Sequence, residues 1–548
     1  MLDGIILTLH SLGVLSMRSF FKGLPIFLSA FINVSCGSST SENTPEPINV
    51  VETPLVDDTT PVDDATDNTN FVCGYYDMPL DIASDVKTRI EAEDFDTCDT
   101  SYSDITPGND GGQYRDNDID INEDLIHSND HYVFDVQENE YMEYTVDVAK
   151  SGLYRLYYRV QQNASETSKF SLFINDIEIV GSNVDLATDD DAPWIYTVSK
   201  QVYLTDGPQV VKFNITQGQV NLDYFEVEYD EPLIVTPETT VENMQIGLNL
   251  GNTFDAPFEG AWAPVAELKT FVDFKEAGFN HVRMPATWHN HTDINFPYDV
   301  NLERMDRTEQ VVDWALAQGY VVIINMHHEK WLKDNYSDVN NQERFDAIWR
   351  QISARYKNKS ARLIFEILNE PHGTSRNMTI DDVNDANERI LTIIRESNPT
   401  RNVVFSGSGW TAVEDLVATE VPDDDYLIGN FHSYDPHNFA GDCKITWGTP
   451  ADHDALETKY DEAKAWSVEH NIPVMVNEFG VAKFDWQIPE NICAQDQRLL
   501  YIQAHVTFAT ERGFAASYWD GPDSFAVYDR KKDAWAEDEK NILVSENN

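Results

Sequence analysis

Leu363-Ile364-Phe365-Glu366-Ile367-Leu368-Asn369-Glu370-Pro371 is a short apolar run that stops at Asn-Glu-Pro, and Val474-Met475-Val476-Asn477-Glu478-Phe479-Gly480 is a second run that stops at Asn-Glu. Runs this short read as strands, and near-continuous apolar character marks strands buried on both faces of a parallel sheet. Working outward, similar runs stand at 246–250, 279–284, 321–326, 402–406, 426–431 and 515–519, with 363–368 and 473–477 completing the set. Helical periodicity fills stretches between them, at 303–318, 342–356, 382–397, 452–470 and 495–512. Eight strand–helix units over 244–548 predict an α/β (β/α)8 TIM barrel. No glycine-rich phosphate loop follows the first strand, which disfavours a dinucleotide fold.

Upstream the rhythm changes. Tyr141–Val148, Tyr154–Val160 and Phe170–Ile174 alternate apolar and polar residues between Gly, Asn and Asp clusters, so 73–231 is predicted to be an all-β sandwich of jelly-roll type, joined to the barrel by a connector at 232–243. Residues 37–72 are rich in Ser, Thr, Pro, Asp and Glu and lack Lys and Arg, the composition of a disordered acidic tether. Residues 1–36 have the layout of an export signal, with a basic start after Met17, an apolar run and then Ser35-Cys36. Met17 is a candidate true start. Cys36 is the position a bacterial lipoprotein signal would acylate, and ordinary secretion is the alternative. The expectation is a secreted or cell-surface protein, attached to a membrane only through a lipidated Cys36. The remaining Cys73, Cys98, Cys443 and Cys493 are an even set that an oxidising compartment would pair within each domain, with four free thiols as the alternative.

The 548 residues carry 38 Lys+Arg against 95 Asp+Glu, a net charge of −57. Such a chain repels phosphate backbones and anionic lipid, so nucleic acid is excluded as a partner. A neutral polymer meets no such barrier, and 12 Trp, 24 Tyr and 27 Phe supply flat faces on which sugar rings stack. Selection for solubility in a saline habitat would also account for the charge.

In a barrel of this kind the reactive groups gather where strands end. Those positions are Arg283, His327, His328, Asn369, Glu370, Trp410, His432, Tyr434, Glu478 and Trp519. Two glutamates on separate strands of one face suit glycoside hydrolysis, one protonating the departing oxygen and the other attacking or directing water. His327-His328-Glu329 invites a metal reading, but neighbours on a strand point to opposite sides, so no catalytic metal or other cofactor is expected. No Gly-x-Ser-x-Gly elbow is present for a serine triad.

These residues resemble glycoside hydrolase family 5. Asn369-Glu370-Pro371 and Asn477-Glu478-Phe479-Gly480 look like its two signatures. Gly247–Thr253, Glu259-Gly260-Ala261-Trp262, His281–Pro285, Ile324–His328 and Tyr518-Trp519-Asp520 with Phe525–Asp529 are similar to its bacterial endo-β-1,4-glucanases. The resemblance implies Glu370 as acid/base and Glu478 as nucleophile of a retaining enzyme. It implies Arg283 as the orienter of Glu478, and His327, His328 and Asn369 as holders of the sugar. His432 and Tyr434 would contact the nucleophile or ring, and Trp519 would form a stacking floor. Mannanase, xyloglucanase and mixed-linkage glucanase are the alternatives within the fold, and a non-catalytic surface glycan-binding lipoprotein is the alternative outside it.

The sandwich resembles a family 6 carbohydrate-binding module through Ile90-Glu91-Ala92-Glu93, Tyr114-Arg115-Asp116, Glu140–Tyr144, Gly152-Leu153-Tyr154 and Asn221–Phe225. That implies sugar contacts at Trp194 and Asn221, with a second aromatic position near Phe134-Asp135. It also implies a structural calcium held by Glu91, Glu93 and Asp223, whose hard oxygens suit that ion. The expected partner is a polysaccharide of β-glucan type, bound by a monomer.

Overall fold

The computed structural model describes residues 78–545 apart from 99, 125–129, 163–166, 175–176, 179–183, 187–193 and 376. The expected leader with Cys36, the expected acidic tether and Cys73 lie outside the described residues.

The N-terminal part is the expected two-sheet sandwich. In one sheet Leu80–Ile82, Tyr141–Val148, Gly207–Gln217, Ser168–Ile174 and Val184–Leu186 lie side by side, and in the other Ile195–Val198, Gly152–Gln162, Gln219–Tyr229, Asp130–Gln137 and Ile121–Asp124 do. Alternation builds the core: in Gly207–Gln217, Val211, Phe213 and Ile215 point inward, where they meet Tyr144, Phe170 and Leu172 from neighbouring strands and Tyr158 from the facing sheet.

The C-terminal part is a closed parallel barrel of eight strands: β1 (Ile246–Leu250), β2 (His281–Met284), β3 (Val321–Asn325), β4 (Leu363–Glu366), β5 (Val403–Val404), β6 (Leu427–Ser433), β7 (Val474–Phe479) and β8 (Ala515–Asp520). Closure comes from β1 against β8, with Leu248 opposite Tyr518. Along β3, Val321 and Ile323 point into the barrel beside Ile364, Val404, Ile428 and Met475, whereas Val322 and Ile324 pack under the helices. Both faces are buried, which explains the unbroken apolar runs. The helices start where their caps place them: Thr379 and Asp382 form a reciprocal capping box, as do Thr449 and Asp452.

The connector differs from expectation. Its second half is the helix Pro237–Met244, started by Thr236 accepting from Thr239 N–H with Pro237 in the first turn. Val241 and Met244 join the apolar cluster inside the barrel, so this helix closes the end where the strands begin.

The same end docks the sandwich. Lys359, just before β4, is buried and reaches Glu309 at 2.8 Å, Asp206 at 3.0 Å, Asp313 at 3.1 Å and Ser151 Oγ at 3.2 Å. Arg362 pairs with Glu231, and Tyr203 donates to Asp313 at 2.9 Å. Ser151, Tyr203, Asp206 and Glu231 belong to the sandwich side, so a polar clamp couples the domains at the face opposite the strand ends.

Candidate active site

Arg283 on β2 is fully buried and organises the floor. Its Nε and Nη2 donate to the two oxygens of Glu366 at 2.7 Å each, a fork–fork pair. Nη1 donates to Asn249 Oδ1 at 2.8 Å and to Glu478 Oε1 at 2.6 Å, and Nη2 also donates to Asn369 Oδ1 at 2.7 Å. One guanidinium therefore ties β1, β2, β4, β7 and the loop after β4 together. Burial alone would raise Glu366, but the Arg283 charge outweighs it and holds the carboxyl below its ordinary range.

Glu478 sits near the end of β7, and its Oε2 accepts from Tyr434 Oη at 3.0 Å. Glu370 follows β4 on the other side of the cleft, with φ of 30°, a left-handed backbone that L side chains rarely adopt. His432 stands between the two: its Nδ1 lies 2.9 Å from Glu370 Oε1 and 3.7 Å from Glu478 Oε2. A β-bulge at His432, where the β6–β7 register slips, aims the imidazole there. One ligating atom from each of Glu370, His432 and Glu478 lies within 4.8 Å of the other two. Burial pushes the Glu478 carboxyl up, against the pull of His432 and Arg283. Burial also opposes the charge on Glu370, but the His432 bond outweighs it and lowers that group. His432 is raised: burial disfavours its charge, and the charges of Glu478 and Glu370 overcome that cost.

The remaining expected residues complete the cleft. Trp519 stacks on His327 with centroids 6.0 Å apart and planes 15° apart. A side chain at Gly521 would come within 2.7 Å of Trp519 Nε1, which accounts for glycine there. His327 is driven well below its ordinary value by burial and nearby positive charge, so its ring is neutral. Trp410 is 58% exposed and stacks on His372 with centroids 3.7 Å apart. Phe525 stands edge-on to Tyr434, held by a loop in which Asp520 accepts from Val527 N–H and Tyr528 N–H.

One expectation is corrected. His327 and His328 do not diverge: both lie past the end of β3, and their rings are 4.5 Å apart. With buried Asp255 they form a second converging set of potential metal ligands within 4.8 Å. Strand alternation fails because the strand has already ended at Asn325. Sequence reading also passed over Asn249, Asp255, Glu366, Lys333 and His372. Glu366 had a usable signal, since a carboxylate inside an apolar strand demands a buried partner.

In the sandwich, Trp194 lies under the Arg159 guanidinium at 4.7 Å and edge-on to Tyr132 at 5.3 Å. Asn221 Oδ1 accepts from Asp135 N–H at 2.9 Å, and its amide donates to Gln161 at 3.0 Å. The second aromatic near Trp194 is thus Tyr132, and Phe134 stands 6.1 Å from it. The three expected calcium ligands do not assemble. Asp223 is bonded to Arg159 and Glu91 to Arg89, and among the described residues the converging ligand sets are the two in the barrel. No role is derived for calcium.

Cys443 and Cys493 are joined in a disulfide that staples the loops after β6 and β7, a pairing within the barrel domain as expected. Cys98 is also disulfide-bonded.

Comparison with known proteins agrees with this geometry. Residues 110–229 match the sequence model described as "Carbohydrate binding module (family 6)". Endoglucanase H of Acetivibrio thermocellus is 44% identical over 305 residues, which are 55% of this chain and 32% of that protein, so the chain spans about a third of that relative's length. Endoglucanase B of Ruminococcus albus is 32% identical over 336 residues, covering 56% of this chain and 80% of that protein. Among solved structures, endoglucanase Cel5A from Thermotoga maritima superposes with a TM-score of 0.53 at 30% identity, covering 56% of this chain and 100% of that one. Structures of that enzyme include complexes with cellobiose and with mannotriose. Residues 243–524 match "Cellulase (glycosyl hydrolase family 5)", and with two glutamates converging across the cleft of a (β/α)8 barrel, the chain belongs to glycosyl hydrolase family 5.

Proposed function

We propose that the chain is a retaining endo-β-1,4-glucanase with Glu478 as nucleophile and Glu370 as acid/base. The observation that carries this reading is the convergence of carboxylate oxygens from Glu370 and Glu478 to within 4.8 Å. Retaining pairs stand about 5–5.5 Å apart, whereas inverting pairs leave about 6.5–9.5 Å for a water. The substrate assignment is supported by the endoglucanases it resembles.

In the first step Glu478 attacks the anomeric carbon as Glu370 protonates the leaving oxygen. In the second, Glu370 takes a proton from water, which attacks the glycosyl ester. Two carboxyl groups suffice, so no cofactor enters. The proton is accounted for within the site: one proton on His432 with both glutamates ionised, and one on Glu370 with His432 neutral, are the same protonation count. Passing it along the 2.9 Å His432–Glu370 bond arms the acid and leaves Glu478 beside the permanent charge of Arg283. Asn369, held by Arg283, faces the ring hydroxyl next to the reacting carbon, where hydrogen bonds strengthen toward the oxocarbenium-like state.

The sandwich is proposed to bind the same polymer through Trp194. Export is supported by the Cys443–Cys493 disulfide, which persists in oxidising compartments. The test is reducing-sugar release from a panel of cellulose, mixed-linkage glucan, xyloglucan and mannan. Preferential cleavage within β-1,4-glucan chains is expected. Preference for mannan would overturn the substrate assignment, and no release from any member would favour a binding protein without catalysis.

A further inference from the structure

The wall of the cleft that carries Glu478 continues into an ordered finger, residues 482–493, whose apolar tip the fold leaves uncovered. Its base is fixed on both sides. Ala482 N–H donates to Ala440 O at 2.7 Å in the loop after β6, and Lys483 N–H donates to Ser524 O at 2.7 Å in the loop after β8. Ser524 adjoins Phe525, which stands edge-on to Tyr434, the donor to Glu478. The Cys443–Cys493 disulfide ties the returning arm to the loop after β6. Between these points the two arms bond as a hairpin, Cys493 N–H to Lys483 O at 3.1 Å and Asp485 N–H to Asn491 O at 2.9 Å, with Phe484 opposite Ile492. Buried Asp485 then shapes the tip by accepting from Gln487 N–H at 2.8 Å and Ile488 N–H at 3.3 Å. These restraints hold apolar side chains out in water: Trp486 is 72% exposed and Ile492 70%. An exposed apolar patch on a rigid support marks a binding surface, because the ordering cost of the loop is met before the ligand arrives.

We propose that this finger is a further substrate-binding site, in which Trp486 is a stacking platform for glucosyl units of the bound chain beyond the point of cleavage. The base of the finger is the wall of the cleft, so a polymer lying in the cleft is the ligand that reaches its tip. A second copy of the chain would bring another net charge of −57 against the first. A neutral glucan meets no such repulsion, and the C–H faces of its rings suit the flat indole. The finger thereby lengthens the cleft, and a long chain gains a contact that a short one cannot make.

The inference rests on the endo-β-1,4-glucanase reading, and one series of assays separates the two. The full chain is made as the parent and as Trp486→Ala, and kcat/KM is measured on the β-1,4-linked glucose tri-, tetra-, penta- and hexasaccharides. In the parent kcat/KM should rise with chain length. In Trp486→Ala the ratio of the hexasaccharide value to the trisaccharide value should fall at least about 5-fold, the size of one lost aromatic anchor, through KM rather than kcat. An unchanged ratio overturns the inference, as does an equal fall on every oligosaccharide, which is what a merely structural role would give. A parent that sediments as a dimer and Trp486→Ala as a monomer, with the ratio unmoved, would assign the tip to a second copy instead. If the parent hydrolyses none of the series, the endoglucanase reading fails and takes this inference with it. A parent that cleaves the long oligosaccharides, with the same ratio in Trp486→Ala, defeats the finger alone.

Discussion

Arg283 Nη1 lies 2.6 Å from Glu478 Oε1 while the same guanidinium grips both oxygens of Glu366 at 2.7 Å. The proposed nucleophile, Glu478, is therefore held by a residue that is itself held by a second carboxylate. Arg283→Lys keeps one charge but loses the planar fork, so kcat/KM should fall by at least about 100-fold with the fold retained. Arg283→Met leaves buried carboxylates uncompensated and should cost about 3–5 kcal/mol of stability. Kinetics and thermal melts check both, and an active Arg283→Lys protein would contradict the positioning role.

The shared proton predicts a bell-shaped pH profile. Glu478 is raised above the ordinary 4.5 by burial, so the acid limb lies above that value. His432 is raised above the ordinary 6.5 by its carboxylate neighbours, so the alkaline limb lies above 6.5. For stability the signs differ by group. The depressed Glu370 contributes above its unfolded value and loses that contribution as pH falls through its folded value. The raised His432 contributes below its unfolded value and loses it as pH rises through its folded value. Their combined contribution is full between about 4.5 and 6.5. His432→Gln should remove the shared proton and move the alkaline limb, measured as kcat/KM against pH; an unchanged limb would count against the sharing.

Lys359 couples the two domains. Lys359→Met leaves Asp206, Glu309 and Asp313 facing one another in a buried interface, and a loss of about 3–5 kcal/mol is expected. Calorimetry should then resolve separate sandwich and barrel transitions where the parent shows one. A single unshifted transition would mean that the clamp carries little of the coupling.

Trp194 stands beside Ile195, which pairs with Val160, at the end of the strand Gly152–Gln162 remote from the docked Gly152. Trp194 thus lies at the end of the sandwich remote from the Lys359 clamp, and the module should act as an anchor. Trp194→Ala should lower hydrolysis of insoluble glucan, with a binding loss of more than about 1 kcal/mol, and leave soluble oligosaccharide turnover unchanged. Equal activity on the insoluble polymer would make the domain a spacer.

The barrel was legible because burial on both faces forces apolar runs, and the strands fall within a few residues of those runs. The two glutamates were legible because they terminate such runs. Strand ends were less so: β6 continues to Ser433, which places His432 inside the sheet, and β3 stops at Asn325, which frees His327 and His328 to converge. Glu366 escaped notice because its partner Arg283 is distant in sequence, and only the closed barrel brings the two together. The pairing of Asp223 with Arg159 was equally hidden, because it forms only when the strands of the sandwich come together.

The stereochemistry of the first-formed product tests the central claim most directly. Proton NMR during hydrolysis of a soluble β-1,4-glucan oligosaccharide should show the β-anomer of the new reducing end appearing first, with the α-anomer growing only by mutarotation, as double displacement through Glu478 requires. Initial appearance of the α-anomer would contradict the account, because it would mean a single inverting displacement that carboxylates this close together leave no room for.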